Sequence, residues 1–290
     1  MRSIFSVDVE DWFHLLDLPG APDIHHWAEL PSRVEKNFLT LLAIFAESNV
    51  HVTCFFLGWV AQRHPHLVKE AERLGHEVAS HGFGHQLVYR MSCEEFYRDI
   101  LVSKKILEDL VGHRILGYRA PGFSATPNTP WFFDQLIRAE YKYDSSIFPA
   151  SRSNGGIPNS REDPYLIRSS PDWFIEFPVT VREFLSKRFC FFGGGYFRFF
   201  PLPVIKSMAA RVLDEGRPVV FYLHPREIDP DQPRLPMSLQ RRFRTYLNLK
   251  TTASKLRRLL AALDTTTFQN FIEHELGPLF QQQATAAQMY

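Results

Sequence analysis

Two histidines four positions apart, His81 and His85, enclose Gly82-Phe83-Gly84. The glycines disfavour a regular helix and leave a loop shaped for close approach. Two imidazoles and a carboxylate from another strand make a three-ligand set, which leaves zinc an open position for water. A pair of hydrogen-bonded surface histidines is the competing reading. Carboxylates stand near the start of the chain, in Val7-Asp8-Val9-Glu10-Asp11-Trp12. Side chains alternate along a strand, so Asp8 and Glu10 face the same way while Asp11 opens the following turn. Two carboxylates on one face repel unless a cation or a proton sits between them; otherwise the segment is an acidic turn that caps the next element. Arg119-Ala120-Pro121-Gly122 fixes a guanidinium beside a rigid turn, where it can hold a carboxylate bidentately or form a structural ion pair. In Leu223-His224-Pro225 a histidine ends an apolar run, and proline blocks simple continuation of the strand. It is an acid or a core histidine.

These residues need elements to hold them, and the patterning supplies strands and helices in alternation. Ile4 to Glu10 reads as a strand. Ser32 opens a helix with Glu35 as its capping box, and Val34, Phe38, Leu41 and Phe45 share one face. Val50 to Leu57 is a buried strand, and the helical stretch through Val68 stops at Gly75. Glu77 to Ser80 is a strand running into His81. Ser92 and Glu95 form a second capping box, ahead of a helix that ends at Gly112. Ile115 to Tyr118 is a strand ending in Arg119, Trp131 to Glu140 is helical, and an extended segment reaches Asp144. Leu202 to Glu215 is helical and Pro218 to Leu223 is an apolar strand reaching His224. Such alternation predicts a parallel α/β arrangement, open or barrel-like. Asp8, Glu10, His81, Arg119, Asp144 and His224 all fall at C-terminal strand ends, the edge where such folds assemble active sites.

Composition narrows the classes. The chain has 290 residues, 45% hydrophobic and 22% charged, with a net charge of +1. That balance gives no electrostatic reason to expect nucleic acid as a partner. Cys54, Cys93 and Cys190 are odd in number and far apart, so no disulfide framework or CxxC metal site is expected. No apolar run approaches the roughly 18 residues that span a bilayer, and Met1 to Asp8 lacks a signal-peptide core. A cytoplasmic protein is the expectation, at most at the inner face of the membrane. Ser238 to Leu263 carries seven cations and no acidic residue, with Leu256, Leu259, Leu260 and Leu263 on one face of its final helix. Such a helix lies on an anionic membrane or packs on its own domain.

In their order, the acidic first strand, HxxxH, Arg-x-Pro-Gly, the looser Tyr143-Asp144-Ser145-Ser146-Ile147 and Leu223-His224 resemble the polysaccharide deacetylases of carbohydrate esterase family 4, the NodB-homology enzymes. These motifs span residues 6 to 225. Val52-Thr53-Cys54-Phe55-Phe56-Leu57-Gly58 is similar to the family's second strand. The DVEDW start, Gly193-Gly194-Gly195-Tyr196-Phe197-Arg198 and His224-Pro225 resemble a bacterial branch found with exopolysaccharide biosynthesis. The resemblance implies an α/β fold, a distorted (β/α) barrel in a single domain over residues 1–235. A basic helical extension is expected over 236–280 and a disordered tail over 281–290.

The resemblance further implies Asp8 as general base, oriented by Arg119, and His224 as general acid, supported by Asp144. His81, His85 and a carboxylate would hold a divalent metal, most often zinc, with cobalt, nickel or manganese as alternatives. Many members carry adjacent aspartates, whereas here Asp8 is followed by Val9-Glu10-Asp11. Strand alternation favours Glu10 as the third ligand, with Asp11 as the alternative if the strand bulges. The expected substrate contacts are Trp12, Pro121, Gly122 and Tyr196, the last within an aromatic stretch from Arg188 to Phe200 suited to sugar rings or to barrel core. The implied activity is removal of N-acetyl groups from an amino sugar of a bacterial surface polysaccharide or its lipid-linked precursor, with the sugar as partner and a further contact to an anionic membrane. Two alternatives remain: a metal-independent, allantoinase-like cyclic amidase, and a catalytically inactive sugar-binding module.

Overall fold

The computed structural model describes residues 2–18, 20–152, 155–168, 173–184 and 187–276. The expected tail over 281–290 therefore lies outside the described residues. The elements are β1 (Ser3–Val9), α1 (Val34–Glu47), β2 (Thr53–Phe56), α2 (Gly58–Arg63), α3 (Pro65–Arg73), β3 (Glu77–Ser80), α4 (Cys93–Val111), β4 (Gly117–Tyr118), α5 (Phe132–Arg138) and β5 (Tyr143–Asp144). They continue with β6 (Tyr165–Arg168), β7 (Phe174–Glu176), β8 (Arg182–Phe184), β9 (Lys187–Phe189), α6 (Gly194–Phe199), α7 (Leu202–Asp214) and β10 (Val220–Leu223). The last are α8 (Leu239–Tyr246), α9 (Leu249–Leu260), β11 (Thr265–Thr266) and α10 (Phe268–Phe271).

Nine of the described strands form one sheet in the order β10-β1-β2-β3-β4-β5-β7-β6, with β11 paired to the first residues of β1, and β8 and β9 form a separate antiparallel pair. Every pairing in the larger sheet is parallel except β6 with β7. That sheet is curled into a half-barrel, in keeping with the distorted barrel expected, and a helical C-terminal region accompanies it. Alternation along the strands sorts side chains between two faces. Phe5, Val7, Cys54, Phe56 and Val78 join the large core beneath the helices. Ile4, Phe55, Ala79, Tyr143, Ile175 and Val220 face the other way, into a second cluster with Phe268 and Phe271 of α10. The segment after α9 is thus part of the sheet's packing: Ser3 pairs with Thr265 and Ile4 with Thr266.

Register places the chemistry. Leu223 pairs with Val7, Asp8 with Phe55, Phe56 with Ser80, Ser80 with Tyr118, and Tyr118 with Asp144. The residues just past each of these levels, Glu10, His81, Arg119 and His224, therefore emerge at one rim.

Local signals behaved unequally. Ser92 and Glu95 form the expected capping box, and Gly112 closes α4 with φ 81°. The box at Ser32 and Glu35 does not form. Instead Asp11 reaches the start of α1, its Oδ2 accepting from Arg33 N (2.9 Å), Val34 N (3.2 Å) and Ser32 Oγ (2.6 Å). A carboxylate from another strand end satisfies the orphan amides better than the neighbouring serine, because it carries charge against the helix dipole. The apolar face of α9 turns inward: Leu256, Leu259 and Leu260 are all buried. That removes the leucine stripe from any membrane contact.

Candidate active site

Glu10 stands one residue past β1, and the loop after β3 carries both histidines to it. His81 Nε2 lies 3.1 Å and His85 Nε2 2.9 Å from Glu10 Oε1, and all three residues are buried. The ligand atoms of Glu10, His81 and His85 lie within 4.8 Å of one another. His81 Nδ1 sits 2.7 Å from the Arg119 carbonyl, which can only accept, so Nδ1 carries the proton. In neutral His81, Nε2 then presents a lone pair to a carboxylate oxygen. Two acceptors at that separation repel unless a proton or cation lies between them. A divalent cation fits this donor set of two imidazoles and one carboxylate. Burial would raise the Glu10 carboxyl, but His85, His224 and the hydrogen bonds of His81 and His85 outweigh it and hold Glu10 well below the usual range.

The loop is held by α4. Asp99 Oδ2 accepts from Phe83 N (2.8 Å) and Oδ1 from Gly84 N (3.2 Å). Gly82 has φ 73°, and a Cβ there would stand 2.7 Å from Asp99 Oδ2. Gly82→Ala is therefore expected to cost about 1–3 kcal/mol of stability and, because the loop carries His81 and His85, to lower the affinity for an added divalent cation roughly tenfold or more. Thermal melts and zinc titration of the variant check both.

Asp8 lies beside the ligand group. Its Oδ1 accepts from Arg119 NH1 at 2.7 Å, and Arg119 is wholly buried. The guanidinium also donates to Ser6 Oγ (2.8 Å), Ser145 O (3.2 Å) and Ser145 Oγ (3.1 Å), and its Cζ sits 4.2 Å over the Phe55 ring. Asp8 Oδ2 is left 3.8 Å from His224 Nε2, which in turn lies 3.7 Å from Glu10 Oε1. Five of the residues singled out in the sequence thus converge with Arg119 at one rim.

The expected support of His224 by Asp144 is corrected by the geometry. His224 Nδ1 donates to Glu227 Oε1 at 2.6 Å, one short turn along the chain. Asp144 instead pairs across the sheet with Glu176 and accepts from Ser146 Oγ at 2.5 Å. Burial raises both carboxyls of that pair, Glu176 the further because the Asp144 charge adds to it. Asp144 Oδ2 and Glu176 Oε2 lack any other partner among the described residues, and one shared proton satisfies both. Glu227 has the opposite character. Burial would raise it, yet His224, Arg198 and Arg226 hold it at about 2. For His224, burial favours the neutral ring, but Glu10 and Glu227 overcome this and raise it above the ordinary histidine value.

The other expected contacts divide. Asp11 caps α1, so its carboxylate is engaged away from the histidines. Trp12 is buried, its Nε1 donating to Pro31 O at 3.0 Å, and it packs edge-on against Phe13. That makes it part of the core beneath the rim instead of an open sugar platform. Pro121 is buried and Gly122 turns with φ 63° against Leu16. Tyr196 is exposed on α6, stacked near Phe200.

Two neighbours escaped the sequence reading. Glu227 carried a signal, a carboxylate three residues after a histidine across a proline turn. His14 carried none: it is buried between Trp27 and Trp59, 5.7 Å from the His85 ring, with Nδ1 accepting from Asp11 N at 3.0 Å. Burial first, and then His85, hold it well below the ordinary value, so it is a neutral ring against the ligand loop.

Comparison with known proteins accords with this geometry. Residues 30–141 match the polysaccharide deacetylase family model, and residues 145–273 match a domain of unknown function, DUF3473. A peptidoglycan deacetylase of Helicobacter pylori is 24% identical over 147 residues, 50% of this chain and 46% of that protein. A peptidoglycan-N-acetylglucosamine deacetylase of Bacillus cereus is 34% identical over 82 residues, 28% of this chain and 38% of that protein. The chain therefore spans less than half the length of these curated relatives. Among solved structures, a protein described as a polysaccharide deacetylase from Mycobacterium smegmatis superposes with a TM-score of 0.62 at 20% identity, covering 96% of this chain and 90% of its own. One so described from Pseudomonas aeruginosa gives 0.62 at 16%, covering 94% and 91%. An allantoinase gives 0.61 at 16%, also covering 94% and 91%, so the fold alone does not select the substrate. Residues 30–141 thus match the polysaccharide deacetylase family, the NodB-homology enzymes of carbohydrate esterase family 4, and the chain as a whole shares the fold of proteins so described.

Proposed function

We propose that this deacetylase removes N-acetyl groups from an amino sugar of the N-acetylglucosamine type, within a bacterial surface polysaccharide or its lipid-linked precursor, using a divalent metal such as zinc. The carrying observation is the convergence of Glu10, His81 and His85 on one point, with Asp8 and His224 beside it, 3.8 Å from each other. The names of the curated relatives support the substrate class.

Glu10, His81 and His85 would hold the metal, which when bound polarises a carbonyl and lowers the pKa of water to about 7. Asp8, with Oδ1 fixed by Arg119, offers Oδ2 as the general base that takes the proton as water attacks the acetyl carbon. His224 carries its second proton on Nε2, because Nδ1–H is held by Glu227. As the carbon–nitrogen bond breaks, that proton passes to the departing nitrogen and leaves a free amine and acetate. Arg119 and Glu227 act as positioning residues, each fixing one face of its partner.

Elemental analysis of the protein beside His81→Ala, paired with acetate release from N-acetylglucosamine oligomers, tests the reading. About one divalent metal per chain, lost with the imidazole, and acetate released only by the parent are expected. A metal-free parent that opens a cyclic amide would transfer the assignment to an amidase. One that releases nothing after metal is restored would leave a binding module.

A further inference from the structure

The two most exposed large hydrophobic residues described in this protein sit one turn apart on one helix. Leu239 is 82% and Phe243 57% exposed, both on α8. Phe199 (54%) and Tyr196 (43%) are exposed on α6. The two helices adjoin: Arg198 donates to the carbonyls of Arg244 (3.0 Å) and Leu247 (2.7 Å), and a Cβ on Gly195 would stand 3.2 Å from the Arg244 carbonyl. Four of the seven large hydrophobics exposed among the described residues thus belong to two contiguous helices.

The charge around them has one sign. Residues 233–263 contain eight Lys and Arg and no Asp or Glu, although the whole chain is near neutrality. Several of these cations have internal work. Arg241 donates to the Leu16 and Asp17 carbonyls, Lys255 to those of Phe197 and Phe200, and Arg257 pairs with Glu47. Arg242, Arg244, Lys250 and Arg258 have no carboxylate partner among the described residues. A shallow groove of about 310 Å³ runs beside the anchors, lined by Arg234, Leu239, Arg242, Phe243, Tyr246 and Leu247.

We propose that α6 and α8 form a docking face for an anionic lipid bilayer. Leu239 and Phe243 enter the boundary between headgroups and acyl chains, while the unpaired arginines meet the lipid phosphates. Charge complementarity selects this occupant. A second copy of the same face would bring like charges together about a two-fold axis, and the outermost anchor, Leu239 at 82% exposed, is an aliphatic side chain that suits acyl chains and gives nucleic-acid bases no ring to stack on. Nor is the face remote from the rim: Arg241 ties α8 to the loop carrying Leu16, which packs over Gly122. Docking would hold the rim beside the membrane surface. The inference does not depend on the reaction assigned above, since it is read without turnover.

The test is flotation of the full chain with phosphatidylcholine vesicles, pure or carrying roughly one third phosphatidylglycerol. Binding to the anionic vesicles at low salt, and its loss in about 0.5 M salt, are expected. Arg242→Ala with Arg244→Ala should weaken it about thirtyfold, and Leu239→Asp with Phe243→Asp should abolish it while the circular dichroism stays that of the parent. No flotation at low salt would overturn the proposal, as would flotation that survives the two aspartates. If those aspartates instead halve the mass measured by light scattering and vesicles are ignored, the face joins two copies of the chain and the proposal also falls.

Discussion

Replacing Asp8 with Asn is expected to lower kcat for deacetylation by roughly 10³-fold, the scale on which a general base contributes, with KM little changed. Asn retains an acceptor for Arg119 NH1 but cannot take a proton from water. The structure adds a second expectation that the sequence did not carry. Arg119 is a wholly buried cation, and Asp8 is the carboxylate in direct contact with it. Removing that charge is expected to cost about 3 kcal/mol of stability, because breaking a buried pair strands its partner. Ser6 and Ser145 moderate the loss by keeping three of the guanidinium hydrogen bonds. Denaturant unfolding beside steady-state kinetics separates the two effects. A variant that is destabilised yet turns over at the parent rate would remove Asp8 from the chemistry and leave it as the counter-ion of Arg119.

Glu227→Gln carries the second largest expectation. His224 is raised above its ordinary value although burial opposes this, since Glu10 and Glu227 both favour the charged ring. Without the Glu227 charge the raising influence shrinks, so His224 loses its proton at lower pH. Because the acid must be protonated to act, the alkaline limb of kcat/KM moves toward acid. Near neutrality kcat on the amide is expected to fall about 10²-fold. An aryl acetate, whose leaving group departs without protonation, is expected to be hydrolysed at close to the parent rate. A merely structural role for Glu227 would depress both substrates alike. Arg198 belongs to the same chain of contacts, its Nε 2.9 Å from Glu227 Oε2, and Arg198→Met is expected to repeat the pattern more weakly.

The arrangement that repeats was the part legible in the sequence. Strand after strand ends in a polar residue, and the parallel register brings those ends to one edge whatever the loops do. The resemblance and strand alternation both favour Glu10 over Asp11, and in the structure Asp11 is drawn to the amides that open α1. Pairings across the sheet were not legible in this way. Asp144 and Glu176 face each other only because β7 lies beside β5, and 31 intervening residues give no hint of it. The same holds for α9, where a basic amphipathic stripe is consistent with either orientation. Only packing decides that its leucines point inward and that α8 presents its apolar residues to solvent.

The pairing of β1 with β10 and β11 has a kinetic meaning. The first strand finds its neighbours more than 200 residues later, at Val220 and Thr265. Loop-closure entropy must be overcome before such contacts stabilise anything, so a sheet completed this way forms slowly. Phe268 enters the interior cluster late in chain order, and its ring centre lies 5.7 Å from Arg119 Cζ. During synthesis the floor under Asp8 and Arg119 therefore stays open until the chain has been made well past β10. A ribosome-bound chain stopped near residue 235 would expose Phe55, Tyr143 and Phe177 as an apolar trough. That nascent state, more than the finished fold, is the one whose exposed apolar surface favours aggregation.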